Sequence, residues 1–259
     1  MVRKLSIFVL FVLVMSAASA ETLFTGDFES GKLEEDHWQI DKKPGCEIDH
    51  TTEQARLGKQ SIRFIAATGT RCEILPKYGN PLMWRIFHEP FNEERWYSFS
   101  VLLPKESEFA AQNEVIAQWH SSKDRFFGEQ AGRGPPLALR IRDGNWRITY
   151  GSDSDFLSEP GPKAFYPLWE KKVETGVWVD WVFRIRWSYE DDGYIDIWQN
   201  GEQIVEHRGP NTYNDLRGVY LKLGSYHPGV RRVIYLDEVR LGDKNESFES
   251  MAPPGSQQQ

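Results

Sequence analysis

The chain has 259 residues, a formal net charge of −7 at pH 7 and an aromatic content of 14%. An acidic balance argues against a nucleic-acid partner, because nucleic-acid binding generally needs a basic surface. The aromatic content is common in β-proteins whose grooves stack sugar rings. It also follows from strands alone, so by itself it does not separate these two explanations.

The first 20 residues have the pattern of a secretory signal peptide. Arg3 and Lys4 precede a mostly apolar run, and Ala18 to Ala20 form an Ala-x-Ala cleavage site. The apolar run is too short to span a membrane, and no other long apolar run follows. We therefore expect a soluble, monomeric protein that is secreted or periplasmic and has no membrane partner.

The rest of the chain is predicted to form short strands, with no convincing helical period. After an edge strand at 21–24, strands are predicted at 61–64, 71–75, 96–103, 114–120, 137–142, 146–150, 178–187, 194–199, 202–206, 220–226 and 233–241. Asp143-Gly144 and Asn200-Gly201 separate alternating runs and predict two tight hairpins. About ten short strands with turn signals favour an all-β sandwich or jelly roll.

The chain has no repeat and no linker that would divide it. We predict one domain over residues 21–246, with a long loop at 160–172. Residues 247–259 are polar and rich in Pro, Gly and Gln, which predicts a disordered tail.

Two cysteines, Cys46 and Cys72, are the only ones in the chain. In an oxidising compartment they predict one disulfide, which closes a loop of about 25 residues and contributes about 3 kcal/mol. Two buried free thiols are the alternative.

Four predicted strands each have one apolar face and one face with polar groups. In the strand at 220–226, Leu221 and Leu223 point one way and the polar side chains the other. Gly224, on the polar face, is expected to leave room for a large group. The residues on the four polar faces are Arg71, Glu73, Gln118, His120, Arg140, Arg142, Tyr220, Lys222 and Tyr226.

Such a set would suit β-elimination in a uronic-acid polymer, provided that these faces line one sheet. Removal of the C5 proton adds negative charge to the neighbouring carboxylate, which Arg, Gln or His can neutralise. A tyrosine or histidine can take the proton, and a tyrosine can give one to the leaving O4. This chemistry requires no metal or organic cofactor.

Three short motifs resemble the signature strands of the β-jelly-roll polysaccharide lyases. They are Arg-Cys-Glu-Ile at 71–74, Gln-Trp-His at 118–120 and Tyr-Leu-Lys-Leu-Gly-Ser-Tyr at 220–226. The family patterns are approximately Arg-x-Glu-Leu, Gln-[Ile/Val/Trp]-His and Tyr-Phe-Lys-Ala-Gly-x-Tyr. The departures, Leu221, Leu223 and Ile74, all fall on the predicted core face. The chain is most similar to the branch of glucuronan lyase and heparin lyase I, and alginate lyases are related to it.

The resemblance implies a concanavalin-like β-jelly roll, in which two curved antiparallel sheets form a concave substrate groove. It also implies roles for single residues. Arg71 and Gln118 would neutralise the substrate carboxylate, His120 would be a neutraliser or the base, and Tyr226 would be the general acid and also a candidate base. The implied substrate-binding residues are Lys222 and Tyr220. Glu73, Arg140 and Arg142, from the same polar faces, are assigned to substrate binding as well. The expected partner is an anionic polysaccharide, with glucuronan first.

Two other functions are open to the sequence. A glycoside hydrolase needs two suitably spaced carboxylates, and Glu47 and Asp49 hint at such a strand, but Glu53 would lie about 13 Å along from Asp49. A carbohydrate-binding module would use the same polar faces without catalysis. A structural Ca²⁺ on Asp27, Glu29 and Asp237 is a further hypothesis, since Ca²⁺ prefers oxygen ligands.

Overall fold

The computed structural model describes residues 20–33, 36–78, 88–130, 133–158 and 165–256. Within them the chain forms fifteen strands, one turn of 3-10 helix and one short α-helix. The predicted signal peptide lies outside the described residues, except for its last residue. The strands are β1 Thr22–Gly26, β2 Trp38–Lys42, β3 Cys46–Thr51, β4 Ser61–Ala66, β5 Arg71–Pro76, β6 Glu94–Leu102, β7 Glu114–His120, β8 Leu137–Arg142, β9 Asn145–Tyr150, β10 Tyr166–Lys172, β11 Trp178–Arg186, β12 Tyr194–Gln199, β13 Glu202–Arg208, β14 Tyr220–Tyr226 and β15 Arg232–Gly242.

The strands form two antiparallel sheets, as the all-β prediction requires. One sheet has the order β13-β12-β11-β6-β15-β4-β3, with β1 paired to β15, and we call it the eight-stranded sheet. The other, the seven-stranded sheet, has the order β10-β9-β8-β7-β14-β5-β2. No described helix is long and apolar enough to cross a membrane.

The core lies between the two sheets and is rich in large aromatic side chains. Trp119 of β7 contacts Phe183 of β11, with ring centroids 4.7 Å apart, and Trp146 of β9 packs edge-on against Trp181 of β11 at 5.5 Å. All four side chains are fully buried. Because alternate residues of a strand point to opposite faces, the polar residues of the seven-stranded sheet are turned away from this core. We call this outer surface the polar face.

Both predicted hairpins and the predicted disulfide are confirmed. Asp143-Gly144 joins β8 to β9 and Asn200-Gly201 joins β12 to β13, and both residues of each turn have positive φ, as type I′ turns require. The disulfide connects Cys46 of β3 to Cys72 of β5 over a Cα–Cα distance of 5.2 Å. It therefore ties an outer strand of the eight-stranded sheet to a strand of the seven-stranded sheet that carries two predicted site residues.

The prediction of a disordered tail is wrong for residues 247–256. Ser247 caps a short helix, α1, Phe248–Met251, and its side chain accepts a hydrogen bond from the backbone of Ser250. Met251 is buried beside Trp96 in a small second core on the eight-stranded sheet. A capping residue and one apolar anchor are enough to order a segment whose composition is otherwise polar. Residues 257–259 lie outside the described part.

The predicted loop at 160–172 is also wrong in its second half, since Tyr166–Lys172 forms β10 at the edge of the seven-stranded sheet. Residues 159–164 are outside the description. Neither β2 nor β3 is among the predicted strands; β2 forms the opposite edge of the same sheet, and β3 is an outer strand of the other sheet.

Candidate active site

The polar face brings most of the predicted site residues together. β14 lies between β7 and β5, and β2 follows at the edge. The register pairs Tyr220 with His120, Lys222 with Gln118, Gly224 with Glu73, and Tyr226 with Arg71. The three motifs, which are far apart in the sequence, therefore lie on neighbouring strands.

A network of side chains, which we call the charged centre, occupies the middle of this arrangement: Asp41, Arg71, Glu73, Gln118 and Lys222. The Lys222 ammonium donates to Asp41 at 2.6 Å and to Glu73 at 3.2 Å. Arg71 donates to Asp41 at 2.8 Å, and the Gln118 amide donates to Glu73. Two cations thus face two carboxylates. Lys222, Glu73 and Gln118 are buried, whereas Arg71 and Asp41 remain half-buried at the surface.

Asp41 is the hub of this network. Burial opposes its ionisation, but hydrogen bonds from Lys222 and Arg71 outweigh burial and hold the pKa of Asp41 below its ordinary value. Burial also opposes the charge of Arg71. Hydrogen bonds to Asp41 and Tyr226, with the nearby charge of Glu73, nevertheless raise the pKa of Arg71. Both groups are therefore held in their charged forms.

The surroundings of His120 favour a neutral imidazole. Its Nδ1 lies 2.6 Å from the backbone oxygen of Ser121, which can only accept, so Nδ1 carries the proton and Nε2 carries the lone pair of the neutral ring. Burial lowers the pKa of His120. The positive charges of Lys222 and Arg71 lower it further, against the opposing effects of the Ser121 bond and Asp41. The imidazole is therefore uncharged at neutral pH.

The two tyrosines of β14 occupy different ends of the site. The Tyr220 hydroxyl lies 3.3 Å from Nδ1 of His120, and burial, together with the charge of Glu73, raises the pKa of Tyr220 to about 12. The Arg71 guanidinium stacks on the Tyr226 ring at 4.4 Å. Tyr226 lies opposite Val115, five residues along β7 from His120, which is about 17 Å of backbone. Arg71 connects the two ends, because it touches Tyr226 while its charge acts on His120.

The two predicted arginines of β8 have different environments. Arg140 donates to Thr149 at 3.0 Å and lies 5.7 Å from the Phe165 ring centroid. Burial and the charge of Arg147 lower the pKa of Arg140 to about 10. Arg142, at the end of β8, forms an exposed ion pair with its neighbour Asp143 at 3.3 Å, so the structure does not join Arg142 to the charged centre.

The interpretation of Gly224 as an open space on the polar face is wrong. Its φ is +140°, and a Cβ there would lie 2.2 Å from the backbone oxygen of Cys72 and 2.9 Å from Cα of Glu73. The neighbouring strand β5 fills the space. Glycine is needed because the two backbones come close together, which also explains the irregular register at this point of β14.

Two residues of the site escaped sequence reasoning. Asp41 belongs to β2, whose register against β5 places it opposite Glu73. His88 packs edge-on against Tyr220 with ring centroids 5.2 Å apart, and its Nε2 lies 3.0 Å from Oγ of Ser122. Neither residue lies in one of the three motifs, so only the fold reveals that they belong to the site.

The acids considered for a glycoside hydrolase lie elsewhere. They belong to β3 and the turn after it, in the eight-stranded sheet, and Arg63 holds Asp49 at 2.7 Å and Glu53 at 3.0 Å. Tyr235 also donates to Glu53, at 2.9 Å. Asp49 and Glu53 are engaged in surface ion pairs, and none of the three acids, Glu47 included, lies on the polar face.

The carboxylates considered for Ca²⁺ are occupied by backbone donors. Glu29 accepts bonds from the backbone amides of Lys59 and Gln60, and Asp237 accepts from those of residues 56, 57 and 238. Across the described residues, no group of three or more His, Cys, Asp or Glu side chains is placed to hold a metal ion. The calcium hypothesis stays a prediction, and a melting temperature unchanged by a chelator would contradict it.

Comparison with known proteins places this geometry in context. A family model described as polysaccharide lyase matches residues 25–240. An endo-β-1,4-glucuronan lyase from the fungus Trichoderma reesei is similar in structure, with a TM-score of 0.72 and 20% identity over 90% of this chain and 99% of that one. A cellulose-induced protein, Cip1, has a TM-score of 0.56 and 16% identity over 84% and 96% of the two chains.

More distant structures share the fold. The receptor-binding domain of botulinum neurotoxin type G has a TM-score of 0.51 and 8% identity over 89% of this chain and 49% of that one. No curated protein sequence matches this chain. Because their identities with this chain are 20% or less, the similar structures establish the jelly-roll fold alone. The family match is an independent finding and covers most of the chain.

Proposed function

Because the chain belongs to the polysaccharide lyase family, we propose that it cleaves a uronic-acid-containing polysaccharide, glucuronan first, by β-elimination that leaves an unsaturated non-reducing end. The observation that carries this proposal is that a neutral histidine, His120, lies on the same sheet face as Arg71 and Lys222, which both pair with Asp41. The glucuronan lyase similar to this chain over nearly its whole length supports the choice of polymer.

The reaction needs a base, a proton donor and a group that stabilises the carboxylate. In the proposed sequence, Nε2 of His120 takes the C5 proton, the C4–C5 double bond forms, and the C4–O4 bond breaks. The half-buried Arg71 pairs with the uronate carboxylate, whose negative charge grows as the proton leaves. The buried Lys222 and Gln118 act on Arg71 through Asp41 and Glu73, and thus hold it in place.

Tyr226 is the proposed proton donor to O4, which requires its side chain and that of His120 to converge on one sugar from positions about 17 Å apart along the strand. The resemblance to the family motif and the contact with Arg71 support this role. Tyr220 is the second phenol of the site and lies nearer to His120. A pair of tyrosine variants can therefore separate the donor from a residue that orients the base.

An unsulfated uronate polymer agrees with the charges of the site. The charged centre contains as many carboxylates as cations, and the chain as a whole is acidic. A heavily sulfated chain would need a surplus of basic groups to offset its charge. Glucuronan and alginate are therefore better candidates than heparin.

Export completes the proposal. The disulfide between Cys46 and Cys72 is typical of oxidising compartments and agrees with the signal-peptide pattern of residues 1–20. A polymeric substrate of this kind would be met outside the cell or in the periplasm. We expect the protein to act there as a monomer.

The test is ultraviolet absorbance from unsaturated uronate ends, with purified protein on glucuronan, alginate and heparin. We expect a rise on glucuronan that Tyr226→Phe and His120→Gln each reduce by about 100-fold or more, with Tyr220→Phe reducing it by about tenfold or less. A larger loss in Tyr220→Phe than in Tyr226→Phe would assign the proton donor to Tyr220. Reducing ends without absorbance would overturn β-elimination, and binding without any product would favour a carbohydrate-binding module.

A further inference from the structure

Large apolar side chains are exposed on three neighbouring segments at one end of the seven-stranded sheet. These segments follow β7, follow β9 and precede β14. We call the group the aromatic patch: Phe126, Phe127, Phe156, Leu157 and Leu216. Phe126 is 92% exposed and Leu216 is 64% exposed. The Phe127 ring lies 5.2 Å from the rings of both Phe126 and Phe156.

Charged side chains at the same end of the sheet are buried, in contrast to these exposed rings. The Arg133 side chain is 1% exposed and pairs at 3.1 Å with the buried side chain of Glu129. The same guanidinium pairs with Asp215 and donates to Ser158 at 2.8 Å. A buried arginine that shares two carboxylates is costly, and large aromatic groups are normally the buried ones. At this end of the molecule the charged groups are buried and the aromatic rings are exposed.

The buried charges hold the three segments together. Glu129 accepts the backbone amide of Ser158 at 3.2 Å, and Asp124 accepts that of Leu216 at 2.8 Å. Backbone bonds of 3.2 and 2.9 Å connect Asp153 with residues 212 and 214. The rings are thus presented on a connected frame rather than on separate loops, so little conformational entropy is lost when a ligand binds.

The patch is continuous with the candidate active site. Ser122, next but one to His120, contacts His88, and residues 124–127 follow directly. The Phe165 ring lies over Arg140 of the polar face and also packs against Gly134, which precedes β8. The polar face therefore extends to the same end of the sheet as the patch. Lys123 and Arg125, both exposed, adjoin the rings and bring positive charge.

We propose that the aromatic patch binds a uronosyl residue of the substrate chain at a distance from the reacting sugar. The apolar face of that sugar ring would lie on Phe126 or Phe127, and Arg125 or Lys123 would pair with its carboxylate. The choice of occupant follows from continuity with the polar face, and it rests on the proposed function. The patch would therefore raise affinity for long chains without contributing to the chemical step.

The test is a double variant, Phe126→Ala with Phe127→Ala, compared with Val177→Ala. Val177 is 45% exposed and immediately precedes β11 of the eight-stranded sheet, outside the patch. On the cleaved polymer we expect the double variant to raise KM about tenfold, equivalent to about 1.4 kcal/mol, with kcat within about twofold. On the shortest oligosaccharide that is still cleaved, KM should not change. The control should change neither value, and thermal melting should be the same for all three proteins.

A second measurement keeps the patch testable whatever the reaction proves to be. The same substitutions are placed in Tyr226→Phe protein, and retardation is measured in native gels that contain glucuronan or alginate. Lost retardation supports the patch as a sugar site. Unchanged retardation and KM overturn it, as does an equal rise of KM on short and long substrates. A concentration-dependent change of mass in sedimentation, without loss of retardation, would instead make the patch a contact between copies of the chain. Absence of cleavage by the wild type would overturn only the proposed function.

Discussion

Each sheet carries four alternating charges on its outer face, and each set contains a buried carboxylate, Asp196 in one and Glu73 in the other. The two sets differ mainly in the burial of a cation. On the eight-stranded sheet, Arg184 lies between Glu94 at 2.8 Å and Asp196 at 3.8 Å, and Arg208 pairs with Asp196 at 2.6 Å. We call this set the charge ladder. The side chains of its two cations are 39% and 53% exposed. In the charged centre, by contrast, the Lys222 side chain is 4% exposed.

The difference separates a surface ladder from the candidate active site. Exposed ion pairs contribute little to stability, because water and salt screen both partners. Burying a cation and carboxylates costs several kcal/mol per ion, which only good mutual geometry offsets. Lys222 and its two carboxylate partners therefore need a reason beyond stability. The proposed positioning of Arg71, together with the lowered pKa of His120, supplies one.

The largest expected effect comes from removing one cation from each set. Lys222→Met leaves two carboxylates short of a buried partner, and we expect it to lower the free energy of unfolding by about 3–5 kcal/mol. Arg208→Met, of similar chain length, should lower it by less than about 1 kcal/mol, because Arg208 is 53% exposed and Arg184 remains 3.8 Å from the buried Asp196. Urea unfolding, followed by circular dichroism with the disulfide intact, measures both values.

Equal losses in the two variants would contradict the comparison. They would mean that the burial of Lys222 has no energetic consequence and that the charged centre is a second surface ladder. A folded Lys222→Met protein with full activity would likewise remove Lys222 from the proposed site.

The titration of His120 gives a second way to separate the two sets. Burial, with the charges of Lys222 and Arg71, lowers the pKa of His120 below its ordinary value. Since His120 must be neutral to act as the proposed base, kcat/KM should fall about tenfold per pH unit only below that lowered pKa. The unfolded chain takes up the proton first as the pH falls, so this group also reduces folded stability below about pH 6.5.

Removing a cation from the charged centre should change the pKa of His120, whereas removing one from the charge ladder should not. Lys222→Met removes a nearby positive charge, so the pKa of His120 should rise, whereas Arg208→Met should leave it unchanged. The ring-proton NMR titration of His120, assigned with His120→Gln, measures this without depending on activity. An unchanged titration in Lys222→Met would show that the charge of Lys222 does not contribute to the lowered pKa of His120.

The strands that sequence reasoning found share strong local signals. Alternation in β7, β8 and β14, and the dipeptides Asp143-Gly144 and Asn200-Gly201, are properties of short segments. The strands it missed at the edges of the seven-stranded sheet, β2 and β10, have one partner each and polar or exposed residues on both faces. β10 also contains Pro167, which is tolerated at an edge and reads as a break.

The parts of the site that depend on the alternation within one strand were predictable from the sequence. Odd and even positions place Gln118 with His120 and Lys222 with Tyr226, and the fold confirms that these strands are neighbours. Asp41 depends on the register of β2 against β5, which is a tertiary property. Arg142 shows the converse limit, since it shares a face with Arg140 but pairs with the next residue in the chain.

The smallest expected effect concerns salt, which should weaken the exposed ion pairs of the charge ladder and not the buried pairs of the charged centre. At about 1 M ionic strength the Debye length is about 3 Å, so exposed pairs are largely screened whereas buried ones are not. The stability difference between wild type and Arg208→Met, already below about 1 kcal/mol, should then vanish. The difference for Lys222→Met should persist nearly in full, because no ion can enter between Lys222 and Glu73. If both differences disappeared together in urea unfolding with 1 M NaCl, solvent would have access to the charged centre. The burial of Lys222 would then have no energetic cost that calls for a functional explanation.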